Sequence, residues 1–126
     1  MKINTIKTSN APEAVGPYSQ AVNTGTLIFC AGQLALKPDG ASLLDRPAAE
    51  QARQVLQNVS AVLEAAGSSL SKVVKATVFL TDLNDFQAMN KVYGEFFKEP
   101  YPARSTIQVA ALPKGARVEI EVIALS

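Results

Sequence analysis

The chain has 126 residues, enough for one domain, residues 1–126, and no second. Hydrophobic residues make up 48% and charged residues 18%, which supports a packed core and argues against disorder. Lys and Arg number 12 against 11 Asp and Glu; the net charge of +1 argues against nucleic acid or an anionic membrane surface as a bulk partner.

Histidine is absent, which excludes Ser-His and Cys-His dyads and every zinc site that needs imidazole. The one cysteine, Cys30, forms neither an intrachain disulfide nor a thiolate metal cluster, and its apolar neighbours mark it as buried and inert. No metal site is expected. Acid–base chemistry must rest on carboxylates, hydroxyls, Lys, backbone groups and water. The stretch Met1–Asn10 has no signal-peptide core, and the uncharged run Ala14–Leu36 is broken too often by Gly, Pro, Ser and Asn to span a membrane. A cytoplasmic protein is the expectation.

In chain order, residues 9–17 read as a loop rich in Pro, Gly and Asn. Leu27–Ala31 is a short buried strand, and Lys37-Pro38-Asp39-Gly40 a turn. Ala48–Ala66 repeats apolar residues at Ala52, Val55, Val59, Val62 and Ala66, one face of a helix. Asp45 is a candidate N-cap, Pro47 suits the first turn, and Gly67 suits the position just past the end. Lys72–Thr81 alternates as a strand, with Val74, Ala76, Val78 and Leu80 on one side and Val73, Lys75, Thr77 and Phe79 on the other. A second helix follows near 86–97, with Asp82 or Asp85 as cap and Phe86, Met89, Val92 and Phe96 as its apolar stripe. Pro100 and Pro102 stop it. Strands at 103–109 and 117–125 complete the chain.

This order predicts an α+β fold in which two helices cover one face of a mixed sheet. The other face carries Phe79, Ile123 and Leu125 beside Lys75, Thr77 and Glu121, so a second subunit is expected to cover it. Among the four arginines, Arg104 stands inside a strand; it reads either as half of a structural ion pair or as a fork for a substrate carboxylate. Glu119 and Glu121 share a strand face, as solubilising residues or, in an apolar cleft, as a general acid or base. Tyr18 follows Gly16-Pro17 in a loop and either packs or lines a site. No phosphate-binding glycine motif is present.

Three stretches, Pro102-Ala103-Arg104-Ser105-Thr106-Ile107, Leu112-Pro113-Lys114-Gly115 and Val118-Glu119-Ile120-Glu121, together resemble the signature of the Rid (YjgF) family. Asn10-Ala11-Pro12, Gly16-Pro17-Tyr18-Ser19-Gln20, Ala31-Gly32-Gln33 and the segments 74–79 and 82–83 agree, so the resemblance spans nearly the whole chain and is strongest to the RidA subgroup. It implies a chorismate-mutase-like fold and a homotrimer whose sheets form a central barrel, with clefts between subunits. The implied activity is hydrolysis of 2-iminobutanoate and 2-iminopropanoate to 2-keto acids and ammonia, without a cofactor. In that reading Arg104 clamps the substrate carboxylate and Glu119 activates water and moves protons. Tyr18 and Gly32 line the cleft, and the backbone of Thr106 holds the imine or water. Many relatives have Cys at the Thr106 position. Two alternatives use the same cleft or name: a non-enzymatic sensor of small carboxylates, and an endoribonuclease or translation inhibitor.

Overall fold

The computed structural model describes residues 2–126, leaving Met1 outside the described residues. Six strands, β1 (Asn4–Ile6), β2 (Ala21–Asn23), β3 (Leu27–Cys30), β4 (Val73–Leu80), β5 (Ala103–Gln108) and β6 (Val118–Leu125), form one sheet in the order β1-β2-β3-β6-β4-β5. Only β4 and β5 are parallel; they flank the crossover helix α2 (Phe86–Phe96), as a parallel pair requires. Helix α1 (Ala48–Ala65) connects β3 to β4. Both helices lie on one face, over a core that includes Ile28, Val55, Leu56, Val59, Leu63, Val78, Leu80, Met89 and Ile120. This is the expected mixed sheet with two helices on one side. The short strands β1 and β2 carry too few residues to show a period and were not expected individually.

Local chemistry explains the element ends. Past α1, Gly67 takes φ 82°, donates to Glu64 O, and lets Ser68 N donate to Leu63 O, a Schellman ending that uses two otherwise orphaned carbonyls. Pro47, not Asp45, occupies the N-cap, and no side chain caps that end; the Asp45 carboxylate lies beside Arg46 at 3.8 Å instead. Asp82 caps a single 3-10 turn, accepting from Asn84 N, and Asp85 precedes α2 without a side-chain cap.

The alternation read along β4 slips at its start. Register shifts between Val73 and Lys75, a β-bulge that turns Val73 into the core and leaves Val74 outside. From Lys75 onward the expected facing holds. Two fully buried amides lock the long loop after β3 onto α1. Gln51 donates to Leu44 O and Arg46 O and accepts from Arg117 N, while Asn58 donates to Leu34 O and Leu36 O. The Gln51 contact also fixes where β6 starts.

The face of the sheet away from the helices is uncovered in the single chain. Phe29, Ile107 and Leu125 are each more than two-fifths exposed there, next to Phe79 and Ile123.

Candidate functional site

Arg104 sits on β5 paired with Ala76, a core-facing position, so its side chain leaves the sheet on the helix side. There its guanidinium lies over the Tyr93 ring, 4.6 Å from the centroid, and 5.5 Å from that of Phe86. Nη1 donates to Asn90 Oδ1 at 2.7 Å. The three ion pairs among the described residues involve Arg46 and Arg53, never Arg104. The structural ion pair that strand position alone allowed is therefore not formed. A permanent cation, backed by two rings and free of any protein carboxylate, faces a cleft of about 390 Å³ lined by Asn90, Tyr93, Gly94, Tyr101 and Pro102.

β5 is an edge strand. Val109 N donates to Leu80 O, and backbone groups alternate along a strand, so Ile107 and Ser105 also bond toward β4. The N–H and C=O of Arg104, Thr106 and Gln108 consequently point to the open edge. Thr106 shares the helix-side face with Arg104, and its hydroxyl is buried with no hydrogen-bond partner; so is the Tyr93 hydroxyl. Burial raises the Tyr93 phenol pKa, against an opposing pull from Arg104.

Glu119 projects from the other face. It pairs with Phe79 on β4, between the core residues Val118 and Ile120. Burial pushes its carboxyl above the ordinary carboxylate range, and the neighbouring Glu121 charge pushes the same way. Gly32 makes room for it. The segment Ala31–Gln33 runs beside β6 through mutual Gln33–Ile120 backbone bonds, and a β-carbon on Gly32 would collide with the Glu119 carboxylate, meeting Cδ at 2.8 Å. Glycine is required here for space rather than for an unusual φ.

Tyr18 lies in the β1–β2 loop, at the far end of the sheet from β5. Gly16, at φ 113°, makes the turn and accepts from Tyr18 N. Tyr18 is 55% exposed, over a separate cleft of about 470 Å³ shared with Lys7, Glu13 and Pro38. One chain therefore joins Arg104 with Thr106, and Glu119 with Gly32, but keeps these pairs and Tyr18 apart. Arg104 and Glu119 lie on opposite faces, their strands separated by β4, with α-carbons roughly 14 Å apart from strand spacing and rise.

Cys30 is buried, and desolvation lifts its thiol to about 12, so almost no thiolate exists at neutral pH. No group of three or more Cys, Asp or Glu side chains is placed to hold a metal ion, and no helix is long and apolar enough to cross a membrane, among the described residues.

Residues 8–126 match the family model described as Endoribonuclease L-PSP. The chain belongs to this family, the Rid family. It is 48% identical over 120 residues to the human 2-iminobutanoate/2-iminopropanoate deaminase, covering 95% of this chain and 88% of that protein. The crystal structure of RidA from an Antarctic Psychrobacter superposes with a TM-score of 0.93 at 50% identity, covering 98% of this chain and 99% of the other. E. coli TdcF, solved with bound serine, superposes at 0.91 with 46% identity, covering 98% of each chain.

Around Arg104, this Rid-family chain carries groups that the sequence pattern did not single out. Asn90 and Tyr93 project from α2, and Tyr93 rather than Phe96 supplies that helix's third buried side chain. A signal existed: Asn90 and Gly94 stand one turn apart on an exposed helix face, where both residue types disfavour helix.

Proposed function

We propose that this Rid-family chain hydrolyses small 2-imino acids, 2-iminobutanoate and 2-iminopropanoate, to 2-keto acids and ammonia in clefts between the subunits of a homotrimer. The observation that carries the reading is Arg104: an uncompensated guanidinium at an open strand edge, beside unpaired backbone groups. A planar fork of that kind suits a carboxylate held bidentately, each charge-assisted bond contributing about 1.5–3 kcal/mol. The deaminase name of the human relative and the serine bound to TdcF support a small amino- or imino-carboxylate as ligand.

The reaction asks little of the protein beyond this. A protonated imine is already electrophilic. Glu119, its carboxyl pKa raised by burial, takes a proton from water as the oxygen adds to the imine carbon. The resulting carbinolamine nitrogen accepts that proton from Glu119. The C–N bond then breaks, ammonia leaves, and the hydroxyl proton returns to the carboxylate as the keto group forms. The Thr106 backbone edge orients the imine or water, and Tyr18 and Gly32 line the cleft. Arg104, Glu119 and Tyr18 are far apart in one chain, so the complete site in this reading takes them from adjacent subunits, and the bare apolar sheet face is what those subunits bury.

The test supplies imine in situ from threonine and a threonine dehydratase and follows keto-acid release with and without the protein. Acceleration that is lost in Arg104→Lys is expected. No acceleration, with 2-oxobutanoate still bound, would replace the enzyme with a carboxylate sensor. RNA cleavage in a parallel incubation that Arg104→Lys also abolishes would favour the ribonuclease.

A further inference from the structure

We infer that Asn90 is a positioning residue for Arg104: its Oδ1 fixes the roll of the guanidinium on the Tyr93 ring, so that the Nε–Nη2 edge faces the cleft ready to take both carboxylate oxygens. This rests on the carboxylate-clamp role of Arg104 proposed above.

An arginine held over a ring face keeps the freedom of heading that its side-chain torsions allow, because cation–π attraction depends weakly on which N–H points where. Tyr93 therefore places the guanidinium, its carbon 4.6 Å from the ring centroid, without setting its heading. A single directional bond removes the remaining freedom. Nη1 donates to Asn90 Oδ1 at 2.7 Å, a distance typical of a charge-assisted bond, and no other side-chain hydrogen bond of Arg104 is formed among the described residues. The Nε and Nη2 donors stay unengaged, and these two make parallel bonds to a carboxylate.

The choice of residue at 90 supports the assignment. It is exposed in the interior of α2, where Asn disfavours helix and where it caps neither end. Glu or Asp would accept from Arg104 as well, yet would neutralise the cation and compete with an anionic ligand. A neutral acceptor holds the fork without consuming its charge.

The experiment is a double-mutant cycle on 2-oxobutanoate binding, measured by calorimetry in wild type, Asn90→Ala, Arg104→Lys and the double variant, with steady-state imine kinetics alongside. Alanine favours helix at this exposed position, so the fold survives. Asn90→Ala is expected to weaken binding about tenfold, the loss of one of two charge-assisted bonds, raising KM while kcat stays within about threefold. An ammonium has no roll to fix, so in the Arg104→Lys background Asn90→Ala is expected to add less than about threefold. Multiplication of the two losses would overturn the inference, because Asn90 would then act apart from Arg104. Unchanged binding in Asn90→Ala beside weakened Arg104→Lys would overturn it while sparing the clamp. Wild-type binding in Arg104→Lys would overturn the clamp itself, and the inference with it.

Discussion

Gly32→Ala isolates the placement of one carboxylate. The added methyl would stand 2.8 Å from Glu119 Cδ and 3.0 Å from Cγ, and closer still to Oε2. Ordinary contact begins near 3.4 Å, so the carboxyl must retreat by about 1 Å, the displacement that costs a catalytic group on the order of 10² in rate. Stability should move little. The obstacle is the mobile end of a side chain, and Gly→Ala without a φ penalty stiffens the unfolded chain by about 0.4–1 kcal/mol in the opposite direction. Imine hydrolysis should therefore fall about a hundredfold while the melting temperature stays within a few degrees. In the Glu119→Gln background the same change should do almost nothing further, since the group it displaces no longer transfers protons. Full turnover in folded Gly32→Ala would refute the placement argument. An equal hundredfold loss in both backgrounds would refute the route through Glu119.

Glu119→Gln should lower turnover by about 10²- to 10⁴-fold and leave 2-oxobutanoate binding intact, while Glu121→Gln stays near wild type in the same assay. The raised Glu119 pKa means that the folded chain holds this proton more tightly than the unfolded chain. Wild-type stability should therefore fall as pH rises from the ordinary carboxylate value to the raised one, and Glu119→Gln should flatten that part of a denaturation series. Thr106→Val removes a buried hydroxyl with no partner and should raise stability by about 1 kcal/mol, with hydrolysis within an order of magnitude; a loss of stability would mean the hydroxyl finds its partner across a subunit boundary. Gly94→Ala places its methyl in open space on an exposed helix and should add about 1 kcal/mol in thermal unfolding. Native mass spectrometry should show a trimer at micromolar concentration, and a stable monomer would remove the shared clefts.

Periodicity made the large elements legible. The α1 stripe through Val55, Val59 and Val62 and the β6 alternation through Val118, Ile120 and Val122 each bury one face, and a buried face leaves a period. The bulge at Val73 was not legible, because two adjacent valines suit either facing and only pairing with β6 decides between them. Strands β1 and β2 were missed for want of length. At the candidate site, residue types pointed to Arg104 and to the pair Glu119 and Glu121, of which the family resemblance selects Glu119, but nothing local states that Arg104 and Glu119 leave the sheet on opposite sides of different strands. That follows from sheet order, which is a long-range property: β6, the last strand in the sequence, lies between β3 and β4.

One corner of the molecule gathers choices that a fold alone would not make. Asn90 and Gly94 weaken α2 from its exposed side. Arg104 brings a charge against Tyr93 and Phe86 without a carboxylate to answer it. Thr106 and Tyr93 bury hydroxyls that bond nothing within the chain. Each departs from the locally stable option, and all belong to α2 or to β5, whose outer edge is unpaired. Elsewhere the buried polar groups are answered: Gln20, Gln51 and Asn58 hold loops by hydrogen bonds to their backbone. Local conflict concentrated at one edge of an otherwise consistent fold is what a binding surface requires, because groups satisfied within the chain have nothing left to offer a ligand. The stabilising sign expected for Gly94→Ala and Thr106→Val and the weakened binding expected for Asn90→Ala express the same arrangement: this corner trades stability for an open, charged and directed edge.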